Sequence, residues 1–138
     1  MELKNFESKQ AIIRSWNNTI LSKAIIIFPK NIVELKKLIQ DLKKMKKNYS
    51  IRTGSCSYDS KSLNPNFETI IISLRNLNKI LKINVKENYI NVETGALISD
   101  VIKKIKNKNI TLFSVPGGNK ISIGGAISAN TIGKDSSA

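Results

Sequence analysis

Residues 24–52 constrain the fold of this chain most, because they have the pattern of a strand, a capped helix and a second strand. The apolar run 24–28 ends at a proline, as a short buried strand does. Asn31 can cap the following helix, and Glu34 adds a capping-box-like partner three residues later. One face of the helix is apolar and carries Ile32, Leu35, Leu38, Ile39, Leu42 and Met45. With a strand returning at 49–52, this order predicts a β-α-β unit whose helix packs on a sheet.

The rest of the chain continues the mixed pattern of helices and strands. Strand candidates follow at 69–73, 79–83 and 89–93, with polar turns between them. A second amphipathic helix carries Leu97, Ile98, Val101, Ile102 and Ile105. Residues 112–115 have the pattern of a last strand. No internal repeat or linker interrupts this order, so the sequence predicts one domain of the α+β class.

Two loops of small residues follow predicted strands. The second spans residues 116–130, and the first comprises Arg52, Thr53, Gly54, Ser55, Cys56, Ser57 and Tyr58. Successive backbone N–H groups in such loops can surround a phosphorylated ligand, because small residues leave the approach open. Either loop alone is also compatible with an ordinary turn. Their occurrence together, each after a strand, favours the binding of a ligand.

Composition narrows the chemistry that the chain can support. The 138 residues are 41% hydrophobic, which suits one soluble domain with its own core. Histidine is absent and Cys56 is the one cysteine, which excludes His-based triads, zinc sites and an internal disulfide, so no metal site is predicted. No apolar run is long enough to span a bilayer, and the acidic N-terminal segment lacks a secretory signal. We therefore expect a cytoplasmic location.

The net charge of +13 raises the question of a nucleic-acid partner. Most lysines of 36–47 and 103–108 lie on or beside the predicted helices, as on a solvated helix face. No aromatic residues alternate with them to form a stacking platform. We expect no specific nucleic-acid partner. A basic nucleic-acid-binding protein and a noncatalytic nucleotide- or partner-binding module remain alternatives.

Several short motifs, in this order, resemble those of a known family. They are Arg-x-Gly-x-x-Ser-Tyr at 52–58, the break at Gly95-Ala96, and Pro116-Gly117 followed by Ile-Gly-Gly-Ala-Ile at 123–127. From about residue 16 to the end, the chain resembles the first lobe of the flavin-binding domain of the vanillyl-alcohol oxidase superfamily. It is most similar to the decaprenylphosphoryl-ribose oxidase branch and related sugar or polyol oxidases. Residues 130–135 are similar to the Asp-Ile-His-Gly-Lys-Asn segment of that branch, and 15–17 to its Gly-Trp-Gly.

The resemblance implies an α+β fold, the first βαβ-containing lobe of a PCMH-type FAD-binding domain. The first lobe would cover about 16–115, and a second lobe would begin within about 116–138. The implied cofactor is FAD, and the implied reaction is the oxidation of a CH–OH group in a sugar or polyol, including one linked to a lipid phosphate. The residues implied to contact FAD are the seven of the first loop together with Pro116, Gly117, Ser122, Ile123, Gly124, Gly125, Ala129, Asn130, Thr131 and Ile132.

Departures from the family pattern shape three further expectations. Cys56 stands where berberine-bridge-like relatives carry the His that links flavin covalently, so we expect noncovalent FAD. Ile132 replaces a His of the oxidase branch, whereas Lys134 matches the branch and is the candidate contact for an anionic substrate. The family's second lobe and substrate domain are not present in these 138 residues. We therefore expect an N-terminal fragment that needs the C-terminal remainder of its protein, and no catalytic residue is assigned.

Overall fold

The computed structural model describes residues 3–60, 62–63, 69–118, 120–131 and 133. The chain divides into two compact units, Met1–Leu77 and Asn78–Ala138, and each is described by itself. Leu74 and Leu77 complete the core of the first unit, and the hairpin that follows pairs with itself. The lobe boundary expected near residue 115 from the family resemblance stays a prediction.

A four-stranded sheet forms the first unit. Its strands are β1 (Ser8–Arg14), β2 (Leu21–Ile27), β3 (Tyr49–Arg52) and β4 (Thr69–Ser73), preceded by a 3-10 turn at Leu3–Asn5. The order across the sheet is β1-β2-β4-β3, with β1 antiparallel to β2 and the other pairs parallel. Helix α1 (Ile32–Lys44) connects β2 to β3. These two strands are not neighbours, because β4 lies between them.

The two faces of this sheet pack into separate hydrophobic clusters, since successive side chains of a strand point to opposite faces. The cluster on the face of α1 contains Phe6, Ile27, Leu38, Leu42, Ile70, Ile72, Leu74 and Leu77. The opposite face has a smaller cluster of Ile13, Ala24, Ile26, Leu63 and Ile71. All five residues of β4 are buried, because this strand has neighbours on both edges and a cluster on both faces.

The predicted cap of α1 is confirmed. The side-chain oxygen of Asn31 accepts from the backbone N–H of Val33 at 3.0 Å and of Glu34 at 2.9 Å. The Glu34 carboxylate accepts from the N–H of Lys30, one residue before the cap, at 2.8 Å. These bonds satisfy donors that a helix start otherwise leaves open and fix where α1 begins.

The second unit combines a hairpin with two short helices. Strands β5 (Ile80–Asn84) and β6 (Tyr89–Val92) pair antiparallel, and helices α2 (Ile98–Ile105) and α3 (Ile123–Ser128) follow. Leu97 and Ser122 form a β-bridge, and the N–H of Ile98 donates to the carbonyl of Ile121 at 2.9 Å. The start of α2 is thereby attached to the segment that leads into α3. No helix in the described part of the chain has the length and apolarity needed to cross a membrane.

Most helices and strands predicted from the sequence are present in the structure. The mixed α+β class is confirmed, β3 and β4 have the predicted bounds, and the remaining predicted helices and strands up to α2 agree within a few residues. The predicted strand at 112–115 is wrong: no strand pairs with it among the described residues, and Phe113 is 82% exposed. Strand β1 and helix α3 were not predicted.

The end of α1 offers a test of backbone strain. Lys46 has a φ of 51°, the left-handed region that favours glycine. The N–H of Lys47 donates to the carbonyl of Leu42 at 3.0 Å and that of Lys46 to Lys43 at 3.1 Å, the bonds of a Schellman motif.

We predict that Lys46→Gly raises the free energy of unfolding by about 1 kcal/mol, because it removes a left-handed non-glycine residue. The matched variant Lys37→Gly, at an exposed position in the middle of the helix, should lower it by about 1 kcal/mol. Urea denaturation followed by circular dichroism measures both values. Equal destabilisation by the two variants would contradict the assigned helix end.

Candidate functional site

Arg52, the last residue of β3, anchors the first small-residue loop. Its Nε donates to the Ser55 hydroxyl at 2.9 Å, and its Nη2 donates to the Arg14 carbonyl at 2.7 Å. The carbonyl of Arg52 accepts from the N–H of Leu74 at 3.1 Å. One side chain therefore connects the loop with the end of β1, while its backbone extends the pairing with β4.

The loop turns sharply at Ser55, which has a φ of 62°. The Ser55 hydroxyl also lies 3.4 Å from the Thr53 carbonyl, and the Cys56 thiol lies 3.3 Å from the Gly54 carbonyl. The backbone N–H groups of Gly54 and Ser55 donate to no acceptor in the described part of the chain. Two successive amide donors are thus available in the turn, as in a backbone nest that binds anions.

The turn between β1 and β2 supports the other end of the loop. The N–H of Trp16 donates to the carbonyl of Ser57 at 2.9 Å. Within this turn, the Ser15 hydroxyl accepts from the N–H of Ile20 at 3.1 Å and donates to the Asn17 side chain at 2.7 Å. The side chain of Trp16 is about half exposed, and that of Tyr58 is 65% exposed. Tyr58 is therefore available for contact with a ligand or another chain segment.

The electrostatics of the loop favour a negatively charged ligand. Burial lowers the pKa of Arg52 below its ordinary value, and the positive charge of Arg75 lowers this pKa further. The Nη1 atom of Arg52 is buried and has no hydrogen-bond partner among the described residues. An anion beside Arg52 would supply the missing acceptor and reduce the repulsion between the two guanidinium groups.

The second predicted loop belongs to the second unit and is partly helical. Buried Ser122 caps α3, because its hydroxyl accepts from the N–H of Gly125 at 3.2 Å. The N–H of Ile123 donates to the Ala96 carbonyl at 2.8 Å, and that of Gly124 to Thr94 at 2.9 Å. A methyl group on Gly124 would lie 2.8 Å from the Thr94 Cβ. The backbone of α3 lies so close to Thr94 at this position that only glycine fits without a shift.

The residues after α3 form its C-terminal cap. Asn130 has a φ of 45°, and the N–H of Thr131 donates to the Ala126 carbonyl at 2.9 Å, as in a Schellman motif. The N–H of Ala129 donates to Gly125 at 3.0 Å. Before the helix, Pro116 is buried and Gly117 is exposed. The predicted site residues Ile132 and Lys134 lie outside the described residues.

The structure brings together the seven predicted residues of the first loop within the first unit, and nine of those from the second loop within the second unit. Arg75 was not among the residues predicted from the sequence, although its positive charge lowers the pKa of Arg52. Arg75 follows the end of β4 as Arg52 ends β3, and these strands are parallel neighbours. A feature of the sequence that could have pointed to Arg75 is the basic residue at or just after the carboxyl end of each of these two strands. Among the described residues, no group of three or more His, Cys, Asp or Glu side chains could hold a metal ion.

Comparison with known proteins gives the family. A model described as an FAD binding domain matches residues 23–138. The chain belongs to this family of FAD-binding domains. Together with the structural likenesses below, this match supports the PCMH type of the domain. No curated protein matches the chain in sequence.

Solved structures share the fold at low sequence identity. Cholesterol oxidase from B. sterolicum superposes with a TM-score of 0.85 at 18% identity, over 96% of this chain and 26% of that one. An alkyldihydroxyacetonephosphate synthase gives 0.70 at 20% identity, over 79% of this chain and 22% of that one. CrmK, a flavoenzyme involved in caerulomycin biosynthesis, gives 0.72 at 19% identity, over 87% and 24%. The chain thus spans about a quarter of the length of these proteins.

The first loop fits one part of FAD in chemical terms. FAD contains a diphosphate, which is an anion with several acceptor oxygens. The available N–H groups of Gly54 and Ser55 and the unpartnered Nη1 of Arg52 are donors suited to such a group.

We predict that Gly124→Ala lowers the free energy of unfolding by roughly 1–3 kcal/mol, because the added methyl group would overlap the backbone and Cβ of Thr94. Helix propensity alone would give stabilisation of about 1 kcal/mol, so the sign is diagnostic. In the control Gly118→Ala, the added methyl group meets only the movable tip of Ile121, and a change of at most ~0.5 kcal/mol is expected. Urea denaturation compares the two, and stabilisation by Gly124→Ala would refute the packing described for α3.

Proposed function

We propose that this chain supplies the diphosphate-facing part of the FAD site in a flavin-dependent oxidoreductase. The main support is the turn after β3, where the N–H groups of Gly54 and Ser55 are available beside the Arg52 guanidinium. Because the chain belongs to the family of FAD-binding domains, the anion bound at this turn is proposed to be the diphosphate of FAD. When bound, FAD supplies the hydride acceptor for the oxidation.

The residues of the first loop would bind and orient the cofactor. Gly54 and Ser55 would donate backbone N–H groups to diphosphate oxygens, while Arg52 keeps Ser55 in its left-handed turn. Thr53, Cys56, Ser57 and Tyr58 would border the same group, with Tyr58 exposed beside it. The predicted contact residues of the second loop are proposed to border the diphosphate and the flavin ring; they are Pro116, Gly117, Ser122, Ile123, Gly124, Gly125, Ala129, Asn130, Thr131 and Ile132. The N–H groups of Ile123 and Gly124 already donate to carbonyls of this chain. These two residues would therefore contact the cofactor by packing against it and not by donating hydrogen bonds.

For the substrate, we propose a CH–OH group of a sugar or polyol, as in decaprenylphosphoryl-ribose oxidases. The support is the similarity of residues 130–135 to a segment of that branch, with Lys134 as the proposed contact for an anionic substrate. Of the three solved structures compared above, one is named an oxidase and another a flavoenzyme. The remainder of such an enzyme would provide the substrate groups, since this chain spans about a quarter of the matched proteins. A cytoplasmic location stays a prediction.

We propose that FAD is held noncovalently. The chain contains no histidine to form a histidyl-flavin, and Cys56 is its one thiol. The Cys56 thiol is half-buried and lies 3.3 Å from the Gly54 carbonyl, inside the turn. Acid denaturation of the flavin complex should therefore release the yellow chromophore into the supernatant, whereas a thioether through Cys56 would retain it in the precipitate.

FAD binding to the 138-residue chain is the direct test of the proposed function. We predict that FAD raises the melting temperature in a concentration-dependent manner and that Gly54→Val weakens binding about tenfold or more, because a branched side chain obstructs the N–H groups of the turn. The control Asn48→Val places the same side chain at the exposed opposite end of β3 and should leave the affinity unchanged. Absence of an FAD-dependent shift, or equal loss in both variants, would refute the proposal.

A further inference from the structure

Strand β1 lies at the edge of the first unit's sheet, and β2 is its one neighbour among the described strands. Just outside the paired strands, the N–H of Phe28 donates to the carbonyl of Glu7 at 2.9 Å, and that of Ser15 donates to Ile20 at 3.0 Å. Hydrogen-bonded and non-hydrogen-bonded pairs alternate along an antiparallel ladder, so the odd-numbered residues of β1 bond to β2. The even-numbered residues therefore direct their N–H and C=O groups away from the sheet.

One end of this edge is already occupied. The first loop covers residues 14–16, because Arg52 donates to the carbonyl of residue 14 and the N–H of Trp16 donates to the loop. The outward groups without a backbone partner in the described part of the chain belong to Ser8, Gln10 and Ile12. An extended segment of another polypeptide can pair with such groups by adding a strand to the sheet.

The open edge carries an exposed apolar side chain at Ile12. Its partner on β2 is Lys23, which alternates with Ile25 and Ile27, so Ile12 lies on the same face of the sheet as α1. Ile12 is nevertheless 63% exposed, and Leu21 on this face is 51% exposed. Helix α1 thus leaves this part of the face open, and an added strand would bring a side chain beside Ile12.

The charge of the two strands indicates which kind of segment would add to the edge. Residues 8–14 and 21–27 contain Lys9, Arg14 and Lys23 and no acidic residue. A second copy of this chain would bring like charges together and would add to a net charge of +13 on each copy. Lys9 would form a non-hydrogen-bonded pair with an added strand, in which the facing side chains are closest. A carboxylate at that position would compensate its charge.

We propose that the open edge of β1 binds an extended acidic segment of a partner protein by strand addition. The backbone of the segment would bond to the outward groups of Ser8, Gln10 and Ile12. Its alternate side chains would be apolar on the face of Ile12 and acidic on the face of Lys9. This interaction involves no flavin and does not depend on the proposed function.

The test is fluorescence anisotropy of the 138-residue chain with a labelled peptide of alternating glutamate and valine. Gln10→Pro should weaken binding about tenfold or more, because it removes an outward N–H. It leaves the ladder with β2 intact, since that N–H does not take part in the ladder. The matched control Gln10→Ala keeps the N–H and should bind within roughly twofold of the unchanged chain.

The contribution of charge is measured separately and does not depend on the folding of the proline variant. Lys9→Gln should weaken binding roughly threefold or more, because it removes the positive charge nearest to the added strand. Lys36→Gln removes the same charge from an exposed position on α1 and should change the affinity by roughly twofold at most. A peptide with lysine in place of glutamate should not bind.

Equal affinities of Gln10→Pro and Gln10→Ala, or of the glutamate and lysine peptides, overturn the proposal. Equal weakening by Lys9→Gln and Lys36→Gln also overturns it, because the peptide would then bind through general charge attraction. Sedimentation of the chain alone as a dimer that Gln10→Pro dissociates would assign the edge to a second copy and contradict the acidic partner. Because the peptide contains neither flavin nor phosphate, a failure here is distinct from a failure of FAD binding.

Discussion

The burial of β4 between β2 and β3 is the constraint on which the first unit depends. Its five residues are buried on both faces, and the strand pairs in parallel with both neighbours. This pairing places the carboxyl ends of three strands at one edge of the sheet. Arg52 ends β3 there, and Arg75 follows the end of β4. The basic groups near the first loop are thus consequences of the strand order, which brings together residues that are distant in sequence.

The side chain of Arg52 holds the loop after β3 in place at this edge of the sheet. Its side chain reaches both the Arg14 carbonyl and the Ser55 hydroxyl, so the end of β1 and the turn after β3 are connected through one guanidinium. The left-handed Ser55 then leaves two amide donors available. The arrangement is costly without a ligand, because Nη1 is buried without an acceptor and Arg75 adds like charge. An anion at this position would offset both costs, which connects the local strain to a binding role.

Local features of the fold were predictable from the sequence, whereas long-range features were not. Asn31 and Glu34 predict the start of α1 from the sequence, because helix capping involves residues within one turn of each other. The insertion of β4 between β2 and β3 depends on pairing between distant segments. Strand β1 is a largely exposed edge strand with weak alternation. Helix α3 contains two adjacent glycines, whose helix propensity is low, and the Ser122 cap and contacts with Thr94 and Ala96 compensate for this. In the site, small residues predicted the first loop, but only the strand order brings in Arg75.

The central claim, that the turn after β3 receives a diphosphate through its backbone N–H groups, is tested most directly by ¹⁵N–¹H NMR titration with ADP, which carries a diphosphate without flavin. The account predicts that the amide signals of Gly54 and Ser55 show the largest shifts, together with the side-chain signal of Arg52. It also predicts smaller shifts for the amides of Ile123 and Gly124, because their N–H groups are already bonded to Ala96 and Thr94. Shifts confined to the lysines of α1, with Gly54 and Ser55 unaffected, would contradict it.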